Sequence, residues 1–324
     1  MIAPELAQAF LQELDTASSV LIGTHLNPDG DALGSALAVS FLLDSRGIKN
    51  EVVCHHPPPR NLQFLPGVSR IRQEPSETAH DLGIVVDLDS LERLGSTEPF
   101  FTQCRRTVFI DHHIPHEAPG DLRIVDTTAA ATALILTHLF RLMKVVVSAE
   151  MATCLLTGIV TDTGSFRFRN TTADALSSSA ELVECGGDIT RVAEEIFQYK
   201  PLASSKLLGI VLNNIHMEMD GRLAWSALSF QDFERCQARD EDTEGFVNEL
   251  LSIETVQISA LLREAKEGKT RCSLRSRGSF DVSEVARVFG GGGHRNAAGC
   301  TFDSGPAEAS QLLVTEMRKC LASS

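Results

Sequence analysis

A histidine and two aspartates crowd one short segment near the start of the chain. His25, Asp29 and Asp31 belong to the stretch His25-Leu-Asn-Pro-Asp29-Gly-Asp31. Its proline and glycine favour a tight loop, which can aim the three side chains into one space. An imidazole combined with carboxylates suits a divalent first-row metal such as Mn²⁺ better than it suits Ca²⁺. The segment also fits a plain loop of solvated acids in which Asp31 caps a helix, so it does not decide the chemistry alone.

Three more acid or histidine sites lie where apolar or helical runs end. They are Asp87, the triplet Asp111-His112-His113, and Asp162. Each site alone is more typical of a helix cap or a solvated loop. Together with the first segment they supply ligands for two metal ions about 3.5–4 Å apart, which can activate a shared water for attack on phosphorus. The set predicts two-metal hydrolysis of a phosphate ester without a covalent nucleophile.

Strands and helices must bring these distant residues together. Apolar runs without strict alternation predict four strands buried on both faces, at Ser19–His25, Asn50–His55, Leu82–Asp87 and Thr107–His112. Helical spacing predicts helices at Ala32–Arg46, Ser148–Thr161 and Ala173–Cys185. This alternation predicts an α/β fold with a mostly parallel sheet flanked by helices. Ligands bind beyond the carboxyl ends of the strands in such sheets, and the candidate residues lie at those ends.

The pattern changes to hairpins in the last third of the chain. The paired runs are Ile215–Met219 with Leu223–Leu228, and Ile253–Arg263 with Thr270–Arg275. Asp220-Gly221, between the first two runs, is a strong hairpin signal. We therefore expect a first domain at 1–190, a helical linker at 191–215 and a smaller α/β domain at 216–324, with the active site in the cleft between the domains.

Four glycines followed by a histidine, residues 290–294, predict a phosphate contact in the smaller domain. Glycines let backbone N–H groups approach an anion without side-chain obstruction. Arg275 and Arg277 offer planar donors that suit phosphate, and Arg275 is the stronger candidate. The alternative is a glycine run that only ends a helix, with solvated arginines. The expected substrate contacts are Arg275, Gly291, Gly292, Gly293 and His294.

The composition narrows the class of substrate. A net charge of −14 argues against coating of long nucleic acids, since such proteins carry a basic surface that neutralises phosphates. Small nucleotides or short oligonucleotides, held locally by metal ions and a few arginines, fit better. No segment predicts a signal peptide or a membrane span. Eight single cysteines without a CxxC pair favour a reduced, cytoplasmic protein with no membrane partner.

The motifs resemble those of the DHH phosphoesterase family, whose name-giving triplet is Asp111-His112-His113 in this chain. Residues 290–299 resemble the family's C-terminal DHH-associated substrate-binding domain, so the resemblance reaches nearly the whole chain. Length and motifs are most similar to the stand-alone oligoribonuclease and pAp phosphatase (NrnA-like) group. One departure is the stretch Ala129–Leu134, where relatives often have a hydroxyl-rich stretch that leads to a Glu.

The resemblance implies two divalent ions, with Mn²⁺ expected and Mg²⁺ or Co²⁺ as alternatives. It implies that the ligands form two sets that share one residue: His25 and Asp29 for the first ion, Asp31, His112 and Asp162 for the second, and Asp87 for both. His113 would lie near the scissile phosphate and act in catalysis together with Asp87. Asp111 would orient a histidine, as metal-bound imidazoles usually require.

The implied activity is hydrolysis of short oligonucleotides (nanoRNA, pApA-type dinucleotides) to nucleoside monophosphates, or of adenosine 3′,5′-bisphosphate (pAp) to AMP. One alternative is a RecJ-like single-strand exonuclease, although such relatives are generally larger and the acidic charge opposes long strands. Another is a nucleotide-binding protein without hydrolysis. Inorganic pyrophosphatase of the same superfamily is disfavoured by the glycine–histidine motif. A homodimer is compatible with the sequence.

Overall fold

The structure is a computed structural model that describes residues 2–88, 90–114, 120–265 and 268–322. The chain divides into two compact units, Met1–Tyr199 and Lys200–Ser324. The division falls inside the segment predicted as a linker, just before Pro201, which stands at the N-cap of a helix. Proline breaks a preceding helix because it lacks an N–H and clashes with the turn before it.

The first unit contains a six-stranded parallel sheet. Its strands are β1 (Ser19–Gly23), β2 (Lys49–Val53), β3 (Ile71–Arg72), β4 (Leu82–Val86), β5 (Arg106–Asp111) and β6 (Leu122–Val125). Their order is β3-β2-β1-β4-β5-β6, and every neighbouring pair is parallel. The four predicted strands are β1, β2, β4 and β5. The apolar pattern did not reveal β3 and β6, because both are short and largely half-exposed.

Helices cover both faces of this sheet. The α-helices among the described residues of the unit are α1 (Pro4–Thr16), α2 (Gly30–Ser45), α3 (Glu98–Phe101), α4 (Thr132–Leu142), α5 (Ala149–Asp162), α6 (Ala173–Glu184) and α7 (Ile189–Ala193). Alternate residues of β1 belong to different apolar clusters: Ile22 packs with Leu37 of α2, and Leu21 packs with Phe101 of α3. The sheet is therefore buried on both sides, which explains why its strands do not alternate between apolar and polar residues.

The strand order reverses at β1 and β4, which are neighbours in the sheet. The chain runs outward from β1 through β2 to β3 on one side, and from β4 through β5 to β6 on the other. In open parallel sheets, ligands bind beyond the carboxyl ends of the strands at such a reversal. The residues that follow β1 and β4 include His25 and Asp87, so the fold places two of the candidate ligands at this point.

Helices α2 and α5 pack unusually close together because glycines face the contact. A Cβ added at Gly34 would lie 2.3 Å from the carbonyl oxygen of Cys154, and one added at Gly158 would lie 2.4 Å from Oδ1 of Asp31. Both distances are too short for real atoms, so neither position accepts a side chain without movement. The contact brings the first turn of α2, which carries Asp31, against α5, which ends at Asp162.

The second unit contains a mixed six-stranded sheet. Its strands are β7 (His216–Glu218), β8 (Leu223–Leu228), β9 (Ile258–Glu264), β10 (Thr270–Ser276), β11 (Gly292–His294) and β12 (Ala297–Phe302), and its α-helices among the described residues are α8 (Leu202–Asn213), α9 (Phe230–Cys236), α10 (Phe246–Leu251), α11 (Val282–Val288) and α12 (Pro306–Ala322). The order is β11-β12-β10-β9-β8-β7. Both predicted hairpins, β7–β8 and β9–β10, pair antiparallel, and β8 and β9 are parallel. Among the helices of the described ranges, none is long and apolar enough to cross a membrane.

Candidate metal centre

The loop that follows β1 is fixed by contacts to two distant segments. The N–H of Leu26 donates to the carbonyl of Arg93 at 2.7 Å, and the N–H of Asn27 donates to Nδ1 of His56 at 3.1 Å. Asn27 has a φ of 55°, a left-handed conformation that asparagine tolerates better than most residues. The loop that carries His25 is therefore held in place by hydrogen bonds to both of these segments.

Asp29, rather than Asp31, is the N-cap of α2. Its Oδ1 accepts hydrogen bonds from the N–H groups of Asp31 and Ala32, both at 3.0 Å. Its Oδ2 lies 3.9 Å from Nε2 of His25. The alternative in which Asp31 is the cap is wrong, since Asp31 lies in the first turn and is fully buried. Asp29 uses one carboxylate oxygen as a cap and turns the other toward His25.

Asp87 lies in the middle of the candidate ligands. It follows β4, is 2% exposed, and has a φ of 59°. Its Oδ2 lies 3.4 Å from Nε2 of His25, whereas its Oδ1 lies 3.5 Å from Nε2 of His112 and 3.6 Å from Nδ1 of His113. Each oxygen of this one carboxylate thus faces a different group of residues.

Backbone carbonyls orient the two candidate imidazole ligands. Nδ1 of His25 donates to the carbonyl of Leu26 at 2.8 Å, and Nδ1 of His112 donates to the carbonyl of Ala129 at 3.3 Å. A ring that donates from Nδ1 presents Nε2 as its lone-pair nitrogen, and metal-binding histidines usually have such a partner. His113, in contrast, has its Nδ1 against Oδ1 of Asp111 at 2.7 Å.

Asp162 completes the cluster at the end of α5. Its Oδ2 lies 3.2 Å from Nε2 of His112, and Oδ2 of Asp31 lies 4.0 Å from the same nitrogen. The carbonyl of Asp162 accepts a hydrogen bond from the side chain of Asn170 at 3.0 Å. The chain then turns sharply through three consecutive left-handed residues, Gly164, Ser165 and Phe166, with φ values of 56°, 59° and 61°.

The segment after this turn is not a strand. Alternation in Phe-Arg-Phe-Arg favours equally a strand with Arg167 and Arg169 on one face and a segment with both arginines in solvent. The structure has turns there, and both residues are exposed. Arg167 donates to the carbonyl of Gly164 at 2.6 Å and lies over the ring of Phe197. The strand alternative is wrong, because the chain turns at Gly164, Ser165 and Phe166 in a left-handed conformation that the apolar pattern does not reveal. The solvated alternative agrees with the exposure of both arginines.

The ligand atoms fall into three groups, each with its atoms within 4.8 Å of one another. The groups are His25, Asp29 and Asp87; Asp31, His112 and Asp162; and Asp87, His112 and His113. Metal bonds of about 2.0–2.2 Å to imidazole and carboxylate place adjacent ligand atoms about 3–3.5 Å apart, close to the distances found here. The donor set therefore fits a pair of divalent ions. All six predicted metal ligands lie together, and their role as ligands stays a prediction.

Burial and like charges shape the pKa values of these groups. Burial opposes protonation of His25, but the hydrogen bond and charge of Asp87 outweigh it and raise the pKa of His25 to about 9. Burial likewise opposes protonation of His112, yet Asp162 and Asp87 raise its pKa to about 10. Burial raises the pKa of Asp162 to about 7, with further repulsion from Asp29 and Asp87. Crowded carboxylates thus attract cations, and protonated imidazoles compete with metal ions for them.

The pKa of Asp87 moves the opposite way. Burial alone would raise it, but the hydrogen bond and charge of His25, together with the charges of His112 and His113, lower it below the usual range. The three neighbouring imidazoles therefore favour the ionised form of Asp87. An ionised carboxylate between two groups of ligands is what a bridge between two cations requires.

Three of the predicted substrate contacts of the second unit, Arg275, Gly292 and His294, share one face of its sheet. Gly293 lies between two of them on β11 and faces the other side, and Gly291 precedes the strand. Arg275 of β10 is paired with Ala297 of β12, which is paired with His294 of β11. Residues directly opposite one another on neighbouring strands point to the same face. Gly292 shares that face because it lies two residues from His294 on the same strand.

The guanidinium of Arg275 is suited to bind an anion. Burial lowers its pKa, and it donates to the carbonyl of Leu274 at 2.9 Å. Within the described part of the chain, no carboxylate forms an ion pair with Arg275. Arg277, by comparison, is exposed and donates to the carbonyl of Leu251 at 2.6 Å. A desolvated guanidinium without a counter-charge favours an anionic ligand over solvent.

Two contributors to the centre are not evident from the sequence. His56 precedes three prolines, which predict an exposed loop, yet its Nδ1 accepts from the N–H of Asn27. Thr132 lies in an alanine-rich stretch, yet its hydroxyl donates to Oδ1 of Asp87 at 3.1 Å. Both contacts join residues 29 or more positions apart, so no local sequence pattern indicates them.

The chain is similar to known proteins along nearly its whole length. The pattern of the DHH family, N-terminal domain, matches residues 19–159, and that of the DHHA1 domain matches residues 203–323. The bifunctional oligoribonuclease and PAP phosphatase NrnA of Thermus thermophilus is 36% identical over 87% of this chain and 84% of that protein. The protein of the same name from Bacillus subtilis is 27% identical over 94% of this chain and 95% of that protein. The crystal structure of an exopolyphosphatase-related protein from Bacteroides fragilis has a TM-score of 0.94 and 28% identity, covering 98% of this chain and 97% of that one.

Proposed function

The chain belongs to the DHH family and is a hydrolytic phosphoesterase, and from that premise we propose that it cleaves short oligonucleotides to nucleoside monophosphates and pAp to AMP. The observation that carries the proposal is the position of Asp87, whose two oxygens face His25 on one side and His112 on the other. Relatives named oligoribonuclease and PAP phosphatase over most of the chain support this class of substrate.

We assign the residues of the first unit to the chemical step. His25, Asp29, Asp31, Asp87, His112 and Asp162 would hold two divalent ions. Such ions supply a water of lowered pKa and offset negative charge at phosphorus. His113, whose ring is oriented by Asp111, is the proposed donor to a phosphate oxygen. Arg275, Gly291, Gly292, Gly293 and His294 of the second unit are the proposed substrate contacts.

We further propose Mn²⁺ as the ion and a reducing compartment as the location. The mixture of two imidazoles with four carboxylates favours Mn²⁺ over Ca²⁺, which prefers oxygen ligands alone. All eight cysteines are free, which is typical of proteins in the cytoplasm. The division of the chain at 1–190, 191–215 and 216–324 into catalytic domain, linker and substrate-binding domain is part of the same proposal.

A panel of substrates tests the proposed function. Purified protein with Mn²⁺ is expected to release nucleoside monophosphates from pAp, pApA and strands of two to five nucleotides, and to act poorly on twenty-nucleotide strands. The reason is the net charge of −14, because each additional phosphate of a long strand needs a basic partner. Intact substrates throughout would contradict the assignment, and equal rates on short and long strands would favour a RecJ-like exonuclease.

Two glycine substitutions test the proposed substrate face. A Cβ at Gly292 meets no atom within 4 Å, so Gly292→Ala is expected to keep the stability of the fold. If substrate lies on this glycine, the methyl group blocks a phosphate–backbone hydrogen bond and raises KM about tenfold. Gly209→Ala on α8 also meets open space and serves as the control, with unchanged KM. An unchanged KM for Gly292→Ala would remove this glycine from the substrate contacts.

A further inference from the structure

The segment Ala129–Ala133, which follows β6 and includes the first two residues of α4, contacts the candidate metal ligands through several groups. The carbonyl of Ala129 accepts from Nδ1 of His112 at 3.3 Å. The N–H groups of Thr132 and Ala133 donate to Oδ2 and Oδ1 of Asp31 at 2.6 and 2.8 Å.

Asp31 supplies the cap that α4 lacks in its own sequence. The N-cap residue of α4 is Ala131, which has no side chain able to accept a hydrogen bond. The first N–H groups of a helix need an acceptor, and here both oxygens of the buried Asp31 carboxylate provide it. Positive charge density at the helix N-terminus also stabilises the ionised carboxylate. The orientation of Asp31 is therefore set from a helix about one hundred residues away in the chain.

The side chain of Thr132 makes a second contact of a different kind. Its hydroxyl donates to Oδ1 of Asp87 at 3.1 Å, in a fully buried position. Oδ1 is the oxygen that faces His112 and His113, whereas Oδ2 faces His25. The hydrogen bond from Thr132 to Oδ1 of Asp87 fixes the rotation of this carboxylate, because a rotated carboxylate would lose the bond. In the stretch 129–134, Thr132 is the only residue with a hydroxyl.

We propose that Thr132 is a positioning residue of the metal centre, which fixes Asp87 through its hydroxyl and Asp31 through its N–H. The proposal rests on the proposed function, because it takes these two carboxylates to be metal ligands. Thr132 thereby links Asp87, the proposed ligand of both ions, to Asp31, a proposed ligand of only one ion. Partners of metal ligands commonly contribute about 10- to 100-fold to metal affinity or activity, so the loss of this hydroxyl is measurable.

Substitutions at Thr132 separate this role from simple packing. Thr132→Val keeps the shape and removes the hydroxyl, and is expected to weaken Mn²⁺ binding and lower kcat, each by about 10- to 100-fold, with KM unchanged. KM stays constant because Thr132 acts through Asp87 and not on the substrate. Thr132→Ser keeps the hydroxyl and is expected to restore both quantities. Thr132→Ala is a second hydroxyl-free variant with high helix propensity, should Thr132→Val fold poorly.

Thr137 of the same helix is the matched control. It is also buried, and its hydroxyl donates to the carbonyl of Ala133 at 2.8 Å, within its own helix. Thr137→Val is therefore expected to keep the Mn²⁺ affinity and kcat of the unchanged protein. Equal losses in Thr132→Val and Thr137→Val, or failure of Thr132→Ser to restore function, would overturn the proposal.

Calorimetric titration with Mn²⁺ keeps this test independent of the substrate. If the unchanged protein binds Mn²⁺ but hydrolyses no substrate of the panel, the proposed function fails. The Mn²⁺ affinities of Thr132→Val, Thr132→Ser and Thr137→Val, compared with that of the unchanged protein, still test the role of Thr132. If hydrolysis is observed and Thr132→Val has unchanged Mn²⁺ affinity and kcat, the positioning role fails while the proposed function stands.

Discussion

Replacing Asp87 by asparagine is expected to abolish hydrolysis while the fold stays intact. Asparagine has nearly the same size and tolerates the left-handed backbone that Asp87 adopts, at a φ of 59°. It removes the negative charge and one of the two oxygens that face His25 and His112. Removal of one neutral donor from a preorganised site costs about 100- to 1,000-fold in rate. Because Asp87→Asn also removes a charge, we expect the rate of monophosphate release from pApA to fall by about 1,000-fold or more.

The opposite end of the same strand offers the control for this substitution. Asp81 precedes β4 and accepts hydrogen bonds from Ser18, away from the candidate ligands. Asp81→Asn is expected to lower the melting temperature slightly and to leave kcat unchanged. Circular dichroism establishes that both variants are folded. A folded Asp87→Asn protein that retains full activity would remove this carboxylate from the mechanism.

Chelation of divalent ions is expected to stop hydrolysis completely, and Mn²⁺ is expected to restore it. The two proposed ligand sets, His25 with Asp29 and Asp31 with His112 and Asp162, lie on either side of Asp87 and predict two ions per chain. His25→Ala is expected to remove one ligand of the first ion, and Asp162→Ala one ligand of the second. Each variant is expected to lower the amount of bound metal measured by mass spectrometry. Activity that persists in excess chelator, with no metal in the protein, would end the two-ion interpretation.

The affinity of the protein for Mn²⁺ is expected to depend on pH. The pKa of His25 is raised to about 9 and that of His112 to about 10, mainly because Asp87 and Asp162 outweigh the effect of burial. Metal binding needs the neutral imidazole, so below these values each ion displaces a proton. The apparent Kd for Mn²⁺ is therefore expected to fall as pH rises from 6.5 toward 9. A Kd that stays constant over this range would show that these imidazoles are not ligands.

The sequence predicts the parts of the centre that carry charge, because charged residues at the ends of strands and helices stand out from apolar runs. His25, Asp87 and Asp162 are recognisable in this way without a structure. Strands β3 and β6 are not, since their residues are too few and too exposed to give a pattern. The residues that position the ligands are not evident from the sequence, for a different reason. His56 and Thr132 act through single hydrogen bonds to partners far along the chain, and such pairs have no local signature.

The cap of α2 shows a limit of another kind. Both Asp29 and Asp31 are residue types that favour the start of a helix, and composition does not distinguish between them. The choice depends on which carboxylate meets the N–H groups of α4, and that contact joins segments about one hundred residues apart. Once Asp31 is committed to α4, Asp29 is left to cap α2.

The glycine contact between α2 and α5 restricts how this protein can be made more heat-resistant. Replacing a mid-helix glycine by alanine commonly gains about 1 kcal/mol, and engineers use it routinely. At Gly158 the added methyl would come within 2.4 Å of Oδ1 of Asp31 and 2.6 Å of Cβ of Ala133. A change that improves the helix would therefore displace the ligand and the start of α4 together. Substitutions that stabilise α5 against heat therefore have to be made at other positions, and Gly158 has to remain a glycine.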